Sequence, residues 1–181
     1  MITIDGRPVP AYDGETVFSA ARRAGLTIPG LCSSDHLSPF GSCRLCLCEV
    51  EGQKGTPASC TTPVQAGMAV HTQSDRLVQL RRNVAELLLS EQPDGGALPA
   101  ALQELAQSVG LDRVRYRHPA VRARVQDSSN PFFTFDNARC VSCARCVRAC
   151  DEIQGTFALT MAGRGFGSRP MAGASCYGEA A

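Results

Sequence analysis

At 181 residues the chain can form one ordinary domain or two small ones stapled by metal, and with Lys+Arg 18 against Asp+Glu 17 its net charge of +1 gives no global attraction to nucleic acid. Trp is absent and aromatics make up 6%, which argues against a base-stacking platform; the longest apolar run, residues 84–89, is broken by Glu86 and too short to cross a bilayer, so no membrane insertion is expected. Ten cysteines in this length mean a disulfide scaffold or metal binding, and an N-terminus with no apolar secretory core points to a cytoplasmic setting with reduced thiols.

The chain opens with Ile2-Thr3-Ile4 and Arg7-Pro8-Val9 on either side of Asp5-Gly6, a hairpin signal with the chemistry of a type I′ turn. From Glu15 to Ala24 the residues Val17, Ala20, Ala21 and Ala24 fall at helical spacing, and Gly25 supplies the stop. Residues 28–42 are rich in Pro, Gly and Ser and hold Cys32 in an irregular loop. Leu45, Leu47 and Val50 lead into a strand, and Met68-Ala69-Val70 form another, so the first 75 residues predict an α+β roll.

From Ser74, a capping residue, an amphipathic helix is expected with Leu77, Leu80, Val84, Leu87 and Leu88 on its apolar face and Arg81, Arg82 and Glu86 largely off it. Gln92-Pro93-Asp94-Gly95-Gly96 ends it, and a second helix runs from Ala100 to Val109 before Gly110. Residues 113–124 alternate basic and apolar side chains and read equally as a connector strand or a solvated linker. The expected division is 1–75, a connector over 76–130 and a third part over 131–181.

Two cysteine groups carry the chemistry: Cys32-x10-Cys43-x2-Cys46-x13-Cys60 and Cys140-x2-Cys143-x2-Cys146-x3-Cys150. Short C-x2-C steps deliver two sulfurs from one turn of backbone, as an iron-sulfur cluster requires, although C-x2-C by itself also suits structural zinc. The rear group has the bacterial ferredoxin spacing, which zinc sites seldom use. Two clusters in one small chain mean electron transfer. Cys48 follows a completed set of four and reads as a small buried apolar residue. His36, His71 and His118 fall in separate segments and read as surface or connector residues. Arg44, Arg139, Arg145 and Arg148 crowd the cysteine loops, where positive charge favours a more negative, reduced cluster. Gly163-Arg164-Gly165-Phe166-Gly167 lacks the spacing of a nucleotide loop, and no catalytic fingerprint is present.

Pro29-Gly30-Leu31-Cys32, Gly41-Ser42-Cys43-Arg44-Leu45-Cys46 and Ala58-Ser59-Cys60 resemble the 2Fe-2S domain that opens the large iron-sulfur subunit of NADH dehydrogenase, the alpha subunit of NAD-dependent molybdenum formate dehydrogenases and the diaphorase small subunit of bidirectional hydrogenases. The resemblance implies a β-grasp 2Fe-2S domain over 1–75 with Cys32, Cys43, Cys46 and Cys60 as ligands. Residues 139–155, with Ala162-Gly163-Arg164-Gly165, resemble the 4Fe-4S region of the formate dehydrogenase subunit, implying a small 4Fe-4S ferredoxin-like domain over 131–181.

Two departures stand out. No cysteine lies between Cys60 and Cys140 to form the middle cluster of the NADH dehydrogenase members, and after Cys150 there is only Cys176 where the family has a second complete motif. Cys140, Cys143 and Cys146 thus need a fourth ligand, Cys150 by preference or Cys176 from the Gly-rich tail. The implied role is an electron-transfer subunit, not catalytic alone, carrying one 2Fe-2S and one 4Fe-4S cluster. Its partners would be other redox subunits, a molybdopterin-type catalytic one and a flavin/NAD-type diaphorase. The rival readings are an N-terminal portion or degenerate relative of a formate dehydrogenase alpha subunit, and a zinc-stabilised interaction module.

Overall fold

The computed structural model describes residues 1–93, 98–116 and 126–172. They divide into two compact units, the first made of Met1–Ser33, Pro39–Glu86 and Ala100–Arg113, the second of Ser34–Ser38 and the described residues of Leu87–Pro99 and Val114–Ala181. Residues 76–113 are therefore shared between the two, and the residues 34–38 that follow Cys32 belong with the rear of the chain.

In the first unit β1 (Ile2–Ile4) and β2 (Arg7–Val9) form the expected antiparallel hairpin, with Ile2 opposite Val9. Its turn requires left-handed backbone at two successive residues, and Asp5 (φ 50°) and Gly6 (φ 77°) supply it. β1 also pairs in parallel with β4 (Ala69–His71), which pairs antiparallel with β3 (Glu49–Val50), giving the order β2-β1-β4-β3. α1 (Val17–Arg23) is shorter than its apolar period implied, because Thr16 caps it through a hydrogen bond from the Ser19 N–H. It ends in a Schellman turn, Gly25 N–H to Arg22 C=O and Leu26 N–H to Ala21 C=O. Val17, Ala20 and Ala21 join Ile2, Ile4, Val9, Val50 and Val70 in one core. With five of these at 0–1% exposure, truncation of any one leaves a void the neighbours cannot fill.

α2 (Asp75–Ser90) is capped as expected, Ser74 Oγ accepting from the Leu77 N–H at 3.2 Å. Its buried face departs from the sequence reading. Arg81 and Glu86, expected largely off the apolar face, are 3% and 1% exposed, whereas Leu87 is 52% exposed. The face that turns inward runs through Leu77, Arg81 and Ala85 at i, i+4, i+8, because open main-chain carbonyls of the first unit need a donor there. α3 (Ala100–Ser108) buries Leu102 and Leu105 and ends near Gly110 (φ 60°).

The second unit contains two small antiparallel pairs, β5 (Gln126–Asp127) with β6 (Phe135–Asp136) and β7 (Leu159–Ala162) with β8 (Arg169–Ala172), and α4 (Arg145–Glu152) between them. The Gly163–Gly167 string is the β7–β8 connection. A Cβ on Gly163 (φ +80°) would clash with the Gly167 carbonyl oxygen, so a tight turn accounts for the glycine there. No helix among the described residues is long and apolar enough to cross a membrane. The connector reading of 113–124 falls mostly, and His118 and Cys176 entirely, outside the described residues.

Candidate metal centres

Loop geometry gathers the front thiols. Left-handed Arg44 (φ 56°) turns the chain between Cys43 and Cys46, and the Arg44 guanidinium donates to the Thr56 carbonyl. The Leu47–Ala58 bridge, the 3.0 Å bond from Cys48 N–H to Pro57 O and the 2.8 Å bond from Ser59 N–H to Cys46 O lay the Cys60 turn alongside Cys46. Gly41 (φ +70°) lies close to this turn, its missing Cβ position 3.1 Å from Thr61 Cγ2.

The result is a chain of thiols within hydrogen-bonding reach, Cys43 to Cys32, Cys32 to Cys60 and Cys60 to Cys46. Cys32, Cys46 and Cys60 are 1%, 1% and 4% exposed, and Cys43 is partly exposed. Main-chain N–H groups point at the sulfurs: Leu31 to Cys43 Sγ at 3.4 Å and Cys43 to Cys32 Sγ at 3.5 Å, joined by Ser42 and Leu45. Hydrogen bonds from Cys43 and Cys60 hold the Cys32 thiol well down, and Cys60 does the same for Cys46. The donating thiols Cys43 and Cys60 are pushed up.

Four cysteines outside any disulfide, in a site that already supplies donors to negative sulfur, fit a thiolate-bound cluster. They run as a chain, and among the described residues no three His, Cys, Asp or Glu side chains are set to hold a single metal ion. Cys48, fully buried, belongs to the hydrophobic core, where burial raises its thiol to about 11, in keeping with its reading as an apolar residue.

In the second unit Cys140, Cys143 and Cys146 line a cavity of about 530 Å³, far more room than one ion needs when a water occupies ~30 Å³. Ser142 (φ 52°) and Ala144 (φ 56°) are both left-handed, a backbone that aims successive N–H groups into a concavity, and Ser142 N–H reaches Cys140 Sγ at 3.3 Å. The chemistry of the three thiols fits a cluster held by a tight loop. Cys150 does not line this cavity: it is buried, its Sγ lies 3.0 Å from Thr156 Oγ1, and the N–H groups of Ala158 and Leu159 point at it.

His36, read from the sequence as a surface or connector histidine, is exposed and also lines the rear cavity with Ser34 and Leu37. Arg148, 7% exposed, holds Glu152 at 2.9 Å and bonds the Ser38 carbonyl, while the Ser38 N–H donates to Glu152 at 2.6 Å. That clamp ties Ser38 to α4, so Arg148 has a structural role. Arg139 pairs with Asp136 at 3.5 Å, and Arg139 and Arg145 line the cavity. Nothing local in the sequence marks His36, because residues 36 and 140 meet only by folding.

Comparison with known proteins supplies the cofactor types. Residues 1–75 match the family described as 2Fe-2S iron-sulfur cluster binding domain, and residues 130–171 match the ferredoxin-like domain of NADH-quinone oxidoreductase subunit 3. The mitochondrial NADH-ubiquinone oxidoreductase 78 kDa subunit of Candida albicans is 38% identical over 91% of this chain and 24% of its own length. The NADPH-Fe(3+) oxidoreductase subunit alpha of Geobacter sulfurreducens is 34% identical over 91% of this chain and 20% of its own length. The chain thus spans about a quarter or less of these relatives. A chain in the crystal structure of an NAD+-reducing [NiFe]-hydrogenase in the H2-reduced state superposes with a TM-score of 0.83 and 35% identity, over 96% of this chain and 75% of that one. The fold is accordingly α+β, a 2Fe-2S ferredoxin-like domain followed by a small 4Fe-4S ferredoxin-like domain.

Proposed function

Because the chain belongs to the iron-sulfur family that includes the large iron-sulfur subunit of NADH dehydrogenase, we propose that it relays electrons inside a larger oxidoreductase, between a substrate-oxidising centre and a flavin/NAD partner. Cys32, Cys43, Cys46 and Cys60 would hold the 2Fe-2S cluster, and Cys140, Cys143 and Cys146 the 4Fe-4S cluster with Cys150 or Cys176 as fourth ligand. When bound, the clusters supply one-electron redox chemistry. The chain's own residues orient thiolates, direct N–H donors at sulfur and exclude water from the front site. The observation that carries the reading is the enclosed chain of four front thiols with main-chain donors already aimed at them. Partners would be a diaphorase-type subunit and a molybdopterin-type catalytic subunit, in the cytoplasm, where thiols stay reduced.

Anaerobically purified protein should contain iron and sulfide but little zinc. Dithionite should bleach it and elicit a rhombic paramagnetic signal, an artificial acceptor should restore its colour, and formate should reduce no dye. Stoichiometric zinc without sulfide, or formate-dependent dye reduction by the pure chain, would refute the proposal.

A further inference from the structure

Arg81 is 3% exposed, and each of its hydrogen bonds goes to a main-chain carbonyl: Nε to Leu45 O at 3.0 Å, Nη2 to Leu47 O at 2.6 Å and Nη1 to Thr72 O at 2.7 Å. Leu45 and Leu47 flank Cys46. A trans peptide points its N–H opposite to its C=O, so fixing the Leu45 and Leu47 carbonyls also fixes the N–H directions of Cys46 and Cys48. The Cys48 N–H is seen bonded to the Pro57 carbonyl at 3.0 Å, on the strand edge that brings in the Cys60 turn. One guanidinium on α2 therefore sets the peptide plane that enters Cys46 and the plane that joins Leu47 to Cys48, while the Ser59 N–H holds the Cys46 carbonyl between them.

The same group has an electrostatic consequence. A buried cation is costly unless an anion answers it, and carbonyl dipoles answer it only in part. Thr72 leads on to Asp5, whose carboxylate takes the Thr72 N–H at 2.6 Å and hydroxyl at 2.5 Å, so the carboxylate hydrogen-bonds Thr72 and reaches Arg81 only through space. Burial pulls the Arg81 pKa down, while negative charge on Cys46 and Asp5 opposes that pull.

We propose that Arg81 is a positioning residue for the front cluster, fixing the Cys46 loop and placing a buried positive charge where reduction adds a negative one. The inference rests on the reading of Cys32, Cys43, Cys46 and Cys60 as a 2Fe-2S site. Arg81 lies beyond residues 1–75, the extent of the family match, so α2 completes the site that the matched domain begins. The reduction at issue transfers one electron from dithionite to the front cluster; no bond is made to Arg81.

The test compares full-length wild type with Arg81→Met and Arg81→Lys, purified anaerobically, by redox titration followed in the paramagnetic signals of both clusters. A wild type with no 2Fe-2S signal would remove the premise itself, separately from any role of Arg81. With the signal present, Arg81→Met should lower the front reduction equilibrium about tenfold, ~59 mV for a one-electron couple, and leave the rear potential in place as internal control. Arg81→Lys keeps the charge but loses the fork. Its potential should stay near wild type while its front cluster is lost to a chelator several-fold faster. If Arg81→Met does not fold, the lysine variant still decides. Wild-type potential in Arg81→Met, or wild-type chelator resistance in Arg81→Lys, overturns the proposal.

Discussion

The front site is a closed set of four thiols, whereas the rear one, among the described residues, is an open cavity lined by three. At the front, three of four thiols are nearly inaccessible and the four lie in sequence within hydrogen-bonding reach. At the rear, three thiols line a roomy cavity, and the nearest further cysteine is turned to Thr156. The difference follows from how the ligands are delivered. Strand pairing brings Cys60, fourteen residues beyond Cys46, back beside it, and a buried arginine locks the loop between strands. The rear thiols come from the loop ahead of an eight-residue helix and, with Cys146, from its first turn, so three sulfurs line one cavity while Cys150, in the last turn, lies off it.

The largest expected effect is loss of one site without the other. Cys43→Ser should abolish the front paramagnetic signal or shift it grossly while rear iron stays bound, measured by spectroscopy and iron content on the same sample. An unchanged rhombic signal would break the comparison at its closed end.

A smaller and more discriminating effect concerns the open site. If Cys176 completes the rear cluster, Cys176→Ala should leave a three-iron or labile cluster and Cys150→Ala a normal one; if Cys150 rotates away from Thr156 to ligate, the outcomes reverse. Cluster type by low-temperature paramagnetic resonance is the readout. Two silent variants would mean that a partner supplies the ligand.

The smallest effect concerns the rim of the front unit. Arg23 donates to Glu15 at 2.8 and 3.1 Å and stacks on Tyr12, and its hydrogen bond is the main cause holding the Glu15 carboxyl below the usual range. A carboxyl lowered in the native state adds stability above its unfolded pKa and loses it as pH falls through the native one. The thermal midpoint of Arg23→Ala should therefore lie slightly below wild type at pH 7 and converge with it in acid, the gap staying small because the pair is exposed to water. A gap that widens in acid would refute the assignment.

Much of this was legible along the chain. Asp5-Gly6 announces its turn through backbone sterics, and Gly25 its helix stop. The two cysteine spacings announce clusters because C-x2-C geometry is local. Less legible was the inward face of α2, since Arg81 and Glu86 read as solvent-facing by polarity and are buried. A guanidinium enters a core when carbonyls distant in sequence are left open, and neither Leu45 nor Leu47 signals that need. The placement of residues 34–38 is a similar case: Arg148 and Glu152 draw Ser38 onto α4 across more than a hundred positions.

By itself the sequence determined the opening hairpin, the first three helices, the turn residues and the C-x2-C steps, all of which depend on neighbours a few positions apart. Tertiary structure alone decided which sulfurs meet, which way Cys150 faces and where the Arg81 charge resides. Those outcomes are fixed by hydrogen bonds between segments far apart in the chain, and such bonds are chosen only once burial makes an open carbonyl or an unanswered charge costly.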